Sequence, residues 1–235
     1  MAFTSFRFIV FLVLAAAAYF LTPKRCRWVT LFVANYVFYF ISGGRIFIYL
    51  LATTVTTYLA TVKIGDMAAK NKIAFNEAKA ELDKEGKKAW KAAFAKKKKR
   101  ILIPTLLFNF GILAVLKYSG FVTENLNLLF AKIGIGTELP VFRFLLPLGI
   151  SFYTFQSMGY LIDVYREKQE PERNFCKLAL FISFFPQIVQ GPISRFGTLA
   201  EQLFRANEFS YTRIKFGVQL MLWGAFKKMV IADRA

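Results

Sequence analysis

The sequence predicts an all-α fold, a polytopic transmembrane helical bundle with kinked or re-entrant segments, and three observations lead to it. Hydrophobic residues make up 56% of the 235 positions, and mean hydropathy is +0.43, above the roughly 45–50% apolar share of soluble domains. The apolar residues arrive in several separate runs, more than one soluble core of this size can hide. The 32 Lys and Arg residues, against 14 Asp and Glu for a net charge of +18, gather in the connections between those runs, as cations held on the cytoplasmic side do. That placement argues against nucleic acid as a partner, because no aromatic-interleaved basic fold or zinc spacing accompanies the charge.

The single membrane domain expected over 1–235 begins with a span at 4–22, whose apolar run is followed by four alanines, Ala15 to Ala18. A cleaved signal peptide fits less well, since Arg7 is the one charge before the run and further spans follow at once. Lys24, Arg25 and Arg27 make a basic loop. Residues 28–41 form a second span, aromatic at both ends as interfacial belts are, and Ser42, Gly43 and Gly44 turn the chain. The third span, 46–62, carries Thr53, Thr54, Thr56 and Thr57, whose hydroxyls can bond back to the helix or across to a neighbour. Residues 63–100 hold thirteen Lys or Arg and five Asp or Glu. Their Ala, Lys and Glu content favours a helix lying on anionic lipid in a basic cytoplasmic loop.

The fourth span is 101–118, with Pro104 in its first turn, and Ser119 to Leu139 reads as a polar connector of low charge. Basic loops alternate with neutral ones, which puts the N-terminus outside and both basic loops inside. The next apolar stretch, 141–162, is interrupted by Pro147, Gly149 and Gly159. Residues 178–192, with Pro186, Gln187, Gln190, Gly191 and Pro192, read as a re-entrant or kinked element. A last span covers 216–232. Cys26 and Cys176 share no metal-like spacing and read as structural thiols kept reduced in the cytoplasm. No metal site is visible, and there is no histidine in the chain, which removes the commonest general base.

Any chemistry concentrates between Leu145 and Pro192. At 100° per residue, Tyr153, Gln156, Tyr160 and Asp163 fall within about 80° of one helix face. Polar groups at membrane depth are costly and turn toward protein or a water-filled cavity. The stripe is therefore read in two ways, as the lining of a tunnel or as hydrogen bonding between helices. Gln187 and Gln190 add polar groups at similar depth.

Three motifs in order carry a resemblance: Leu146-Pro147-Leu148-Gly149-Ile150-Ser151-Phe152-Tyr153-Thr154-Phe155-Gln156 with Gly159-Tyr160-Leu161-Ile162-Asp163-Val164-Tyr165, then Phe185-Pro186-Gln187 with Gly191-Pro192-Ile193, then Gly224-Ala225-Phe226-Lys227-Lys228 with Ile231-Ala232-Asp233. Here the chain resembles the membrane-bound O-acyltransferase family, nearest to its bacterial alginate O-acetyltransferase and D-alanyl-lipoteichoic-acid acyltransferase branch. The resemblance implies an enzyme of the bacterial plasma membrane that moves an acyl group, expected to be acetyl, onto hydroxyls of an extracytoplasmic polysaccharide or cell-envelope polymer. It implies no bound cofactor, a cytoplasmic acyl donor (acetyl-CoA or an acyl-carrier thioester) as substrate, surrounding membrane lipid, and an extracytoplasmic acetylation partner protein.

Tyr153, Gln156, Tyr160, Asp163, Gln187 and Gln190 would line or brace the substrate tunnel. The family's hallmark is an intramembrane histidine downstream of these motifs, and this sequence has none. The chain is thus expected to be an N-terminal fragment, inactive alone, with no catalytic residue to carry over. Two other classes fit the broken, polar helix, a secondary transporter and a non-catalytic membrane scaffold. Internal symmetry would mark the transporter, and no second segment repeats Leu145–Tyr165.

Overall fold

The computed structural model describes residues 5–43, 47–79, 82–134, 139–140, 146–188, 191–205 and 207–234. Among them every regular element is helical: α1 (Phe6–Leu21), a single 3₁₀ turn (Lys24–Cys26), α2 (Arg27–Gly43), α3 (Phe47–Ala78), α4 (Lys84–Ile133), α5 (Ile150–Tyr165), α6 (Phe175–Ser183), α7 (Phe185–Ile188), α8 (Phe196–Phe204), α9 (Tyr211–Phe226) and a π-helical segment (Lys227–Ala232). The all-α expectation holds. The helices cluster as two compact units, one drawn from Met1–Ala34 with Gln202–Ala235, the other from Asn35–Glu201.

In the larger unit α3 packs against α4, α5 and α6, and α5 packs in turn against α4, α6 and α7. The sequence explains why. α3 buries Leu50, Thr53, Thr54, Thr57, Ala60, Thr61 and Ile64, and α5 buries Ile150, Tyr153, Thr154, Ser157, Tyr160, Leu161 and Val164 among others. Both sets recur at three- and four-residue steps, which is one helix face, and small residues on it let two backbones approach closely. Thr54 and Thr61 return their hydroxyls to the carbonyls of Leu50 (2.8 Å) and Thr57 (2.9 Å). Thr56 donates back to the Ala52 carbonyl at 2.8 Å and also reaches across to α4, where Asn109 Nδ2 donates to its hydroxyl at 3.1 Å.

The opposite faces are apolar as well. Ile48, Leu51, Val55 and Leu59 on α3, and Leu107, Phe108 and Val115 on α4, are exposed. α3 and α4 are long and apolar enough to cross a membrane. Apolar residues on both the inner and outer faces are what a bilayer solvent selects, so the chain is a membrane protein.

Helix boundaries depart from the sequence expectation in three places. α3 does not stop near Val62, and α4 begins well before Ile101, so the basic segment is carried as extensions of two helices. Its Ala, Lys and Glu residues propagate helix, and Asp83 caps α4 by accepting from the Gly86 N–H at 2.6 Å. Pro104 consequently lies inside α4, where a membrane helix tolerates it. The polar connector expected from Ser119 is also helical to Ile133, and within it the Thr123 and Asn125 side chains bond back to carbonyls four residues earlier. Gly134, at φ 78°, then ends α4. At 50 residues and about 1.5 Å each, α4 is far longer than a bilayer's apolar core is thick.

The third departure is α5, which starts at Ile150. Gly149 precedes it in the left-handed region at φ 70°, and 141–145 lie outside the described residues. The 178–192 stretch is kinked: α6 ends at Ser183, Phe184 turns the chain at φ −57° and ψ 101°, and Pro186 sits in the first turn of α7. The break would strand the Phe185 N–H in the interior, but Asn35 Oδ1 accepts it at 2.9 Å. After α7 the Gly191 N–H returns to the Gln187 carbonyl at 2.7 Å.

In the smaller unit, the loop after α1 is tied to the segment before α9. Lys24 Nζ lies 2.6 Å from Glu208 Oε1, and the Arg27 guanidinium donates to the Asn207 carbonyl. Hydrogen bonding and charge from Lys24 hold the exposed Glu208 carboxyl below its usual range.

Candidate functional site

The first two sequence motifs meet around a cleft on the C-terminal half of α5. Its volume is about 250 Å³, and its walls include Gln156, Gly159, Tyr160 and Asp163 from α5 with Ser194 and Arg195 from the segment after α7. A smaller cavity of about 170 Å³ shares Asp163 and Arg195 and reaches Lys168 and Thr198. Gly159 matters as an open wall: a Cβ added there meets nothing within 4 Å. Asp163 and Arg195 line both cavities and Lys168 the smaller one, so two cations stand against one carboxylate across the pair.

The predicted residues divide by role. Gln156 is buried, and its amide donates to the Phe181 carbonyl at 2.8 Å, so it braces α5 against α6 while its edge lines the cleft. Both readings of the polar stripe thus meet in one side chain. Tyr160 is buried against Phe196 and Phe181, with ring centroids 4.8 and 6.1 Å away. Its phenol oxygen accepts the Glu172 N–H at 2.7 Å, which pins the loop after α5. Asp163 is half-buried and lines both cavities. Its backbone carbonyl accepts the Lys168 N–H at 3.0 Å.

Tyr153 does not join them. It is fully buried toward the bundle interior, and its hydroxyl has no hydrogen-bond partner among the described residues. An unpaired buried hydroxyl costs free energy. Tyr153→Phe is therefore expected to leave stability unchanged or raise it, by up to about 1 kcal/mol. Tyr160→Phe, which strands the Glu172 N–H, should lower stability by about 1 kcal/mol. Thermal unfolding of the detergent-solubilised variants checks both, and a marked loss in Tyr153→Phe would reveal a partner for that hydroxyl.

Gln187 stands behind the cleft. Its Nε2 donates to Ser194 Oγ at 2.8 Å, steadying the segment that carries Ser194 and Arg195. Gln190 lies outside the described residues. Neither Ser194 nor Arg195 is among the lining residues the sequence predicts. Their place just after the Gly191-Pro192 break, where a chain re-enters toward a polar helix face, was the available signal.

The loop closing the cleft rests on α3. Arg173 pairs with Asp66 at 2.7 Å, the Tyr58 hydroxyl donates to the Arg173 carbonyl at 2.7 Å, and Pro171 packs on Gly65. A Cβ at Gly65 would come within 2.3 Å of the Pro171 ring, so the close approach requires glycine.

Comparison with known proteins supplies the remaining finding. The chain is 33% identical to the probable alginate O-acetylase AlgI of Azotobacter vinelandii over 99% of its own length and 42% of that protein's. It is 32% identical to the probable alginate O-acetylase AlgI of Pseudomonas aeruginosa, over 99% of this chain and 40% of the relative. It is also 32% identical to the peptidoglycan O-acetyltransferase of Helicobacter pylori, over 56% of this chain and 29% of that one. The chain thus spans about two fifths of the length of the curated alginate O-acetylases it matches. No protein-family model matches it, and no solved structure does.

Proposed function

From the premise that this chain is a membrane-bound O-acyltransferase-like sequence, similar to alginate O-acetylases over 99% of its length, we propose that it forms part of a multi-pass plasma-membrane O-acyltransferase. The protein moves an acetyl group from a cytoplasmic thioester, acetyl-CoA or an acyl carrier, to hydroxyls of an extracytoplasmic polysaccharide or cell-envelope polymer. An acetylation partner on the far side receives or presents that polymer. The observation that carries the proposal is the cleft itself. Its walls take Gln156, Gly159, Tyr160, Ile162, Asp163 and Ile193 from the first two motifs that resemble the O-acyltransferase family.

In the transfer, a hydroxyl oxygen attacks the thioester carbonyl, the carbon–sulfur bond breaks, and the hydroxyl proton leaves to a base. Hydrogen-bond donors aimed at the carbonyl oxygen stabilise the charge that develops on it. This chain supplies binding and positioning. Arg195 and Lys168 at the mouth suit a donor bearing phosphates, while Gln156 and Ser194 offer polar contacts deeper in. A transporter reading has no observation in its favour comparable to the likeness to acetyl transferases.

The test follows ester formation on envelope polymer in cells expressing the protein, with labelled acetate released by mild base as the readout. Gln156→Ala, Asp163→Ala and Gln187→Ala are each expected to lower transfer about tenfold or more, the size of one lost positioning or stabilising contact. Gly159→Leu, which fills the cleft from an open helix face, should do the same without loss of protein. Undiminished transfer in all four would sink the proposal.

A further inference from the structure

Among the described residues three have positive φ, and two of them are glycines, Gly134 and Gly149. The third is Glu167 at φ 58°, in the left-handed region that is costly for an ordinary L-residue. Hydrogen bonds around it define the turn. The Glu167 N–H donates to the Val164 carbonyl and the Lys168 N–H to the Asp163 carbonyl, both at 3.0 Å. That pair is the Schellman turn, which ends a helix and normally has glycine where Glu167 stands. Such strain persists only where the surroundings over-determine it, and it gathers at functional sites.

Lys98 supplies those surroundings. From α4 its Nζ donates to the Tyr165 carbonyl at 2.9 Å and to Glu167 Oε1 at 2.5 Å. The first bond satisfies a carbonyl that the helix end leaves open, and the second ties the left-handed residue itself to α4. Successive side chains then part. Glu167 lines a cavity with Phe94 and Lys98, whereas Lys168 lines the smaller cavity of the cleft with Asp163, Arg195 and Thr198. A few residues on, Tyr160 accepts the Glu172 N–H and Arg173 pairs with Asp66, so the loop is anchored at its far end and the turn sets its start.

We propose that Glu167 and Lys98 are positioning residues for Lys168. The tethered left-handed turn places the Lys168 ammonium at the cleft mouth, where it takes a phosphate of the acyl donor beside Arg195. Neither Glu167 nor Lys98 touches the donor. The phosphate contact rests on the acyl-donor reading of the cleft, and the turn that aims Lys168 does not.

Two measurements on the detergent-solubilised protein keep these apart. One is equilibrium binding of labelled acetyl-CoA, compared with labelled S-acetylpantetheine, the same thioester arm without phosphates. The other is hydrogen exchange at the Glu167 and Lys168 amides, which needs no ligand. Lys168→Gln should weaken acetyl-CoA binding about three- to tenfold, the worth of one charged contact at an exposed site, and leave S-acetylpantetheine unchanged. Lys98→Met should do the same while quickening exchange at both amides. Glu167→Val should match it, because a β-branched residue resists φ 58°. Adding Glu167→Gly to Lys98→Met should restore slow exchange and acetyl-CoA binding together, since glycine holds the turn without a tether. A merely structural role for Lys98 would weaken both thioesters alike and would resist that rescue. Unquickened exchange in Lys98→Met would overturn the tether, and quickened exchange with unaltered acetyl-CoA binding would overturn its service to Lys168. Wild-type protein that binds acetyl-CoA no better than S-acetylpantetheine would instead remove the phosphate-bearing donor from the cleft, and the Lys168 contact with it.

Discussion

Replacing Gly149 with alanine is expected to destabilise the protein by about 2–5 kcal/mol, by adding left-handed backbone strain to overpacking. Gly149 turns the chain into α5 at φ 70°, a conformation that costs an L-residue about 1–2 kcal/mol. The second contribution is steric. An added Cβ would sit 1.8 Å from Ile188 Cγ2 and 2.6 Å from the Ile188 carbonyl oxygen. Ile188 is 1% exposed and β-branched, so it has neither space nor a spare rotamer with which to yield. α7 would have to move, carrying Gln187 with it, and through Gln187 the Ser194 side of the cleft. Loss of folded protein in detergent should therefore accompany loss of acyl transfer. Gly111→Ala is the control, because a Cβ there meets nothing within 4 Å and alanine favours helix by about 0.5–1 kcal/mol. An unaltered denaturation midpoint for Gly149→Ala would contradict the packing of α7 on the start of α5.

The sequence made parts of this architecture legible because membrane burial leaves a strong periodic mark. Thr53, Thr54, Thr57 and Thr61 repeat at helical spacing, and the same spacing brings Gln156, Tyr160 and Asp163 to one face. Tyr153 was drawn into that group by angle alone. A helix several residues long can show one end of a stripe to a cavity and the other to a neighbouring helix, and angular spacing carries no information about that change. Helix ends were harder to read. The run from Lys63 to Arg100 reads as a separate surface helix because charge interrupts the apolar pattern, yet charge does not interrupt hydrogen bonding along a helix, so α3 and α4 run on into it, and only caps such as Asp83 mark the true start.

Asn35 and Asn109 went unread for a related reason. Each is a single polar residue in an apolar run, and its meaning lies in a partner 150 residues away for Asn35 with Phe185 and 53 away for Asn109 with Thr56. The cleft has the same dependence. Its α5 wall was readable as a stripe, whereas Ser194 and Arg195 enter only through the kink after α7.

Lys98→Ala should cost about 2–4 kcal/mol, the range expected when hydrogen bonds to a charged group are lost and a carbonyl is left buried. In composition Lys98 is indistinguishable from Lys96, Lys97 and Lys99. The buried stripe of α4, Leu102, Asn109, Leu113 and Leu116, distinguishes it, because one more four-residue step back falls on Lys98. Its side chain is 9% exposed, and Nζ donates to the Tyr165 carbonyl at 2.9 Å and to Glu167 Oε1 at 2.5 Å. The rings of Phe94 and Tyr165 lie 4.8 and 5.1 Å from the same nitrogen. A cation here meets the C-terminal end of α5, where the helix dipole favours it, and it holds Glu167 at φ 58°.

Lys97→Ala removes an equal charge from an exposed position and should change stability by less than about 0.5 kcal/mol. Lys98→Met keeps the buried stem and deletes the bonds, so its cost measures them apart from packing. The Glu167 side chain is 58% exposed, so solvent screens that ion pair. A double-mutant cycle with Glu167→Gln should accordingly return a coupling of only about 1 kcal/mol or less. The larger share then belongs to the Tyr165 carbonyl and the aromatic faces, which no salt concentration screens. Stability measured at low and high salt separates the two contributions: a cost for Lys98→Ala that falls to the Lys97→Ala level at high salt would show that Lys98 is merely one more surface cation.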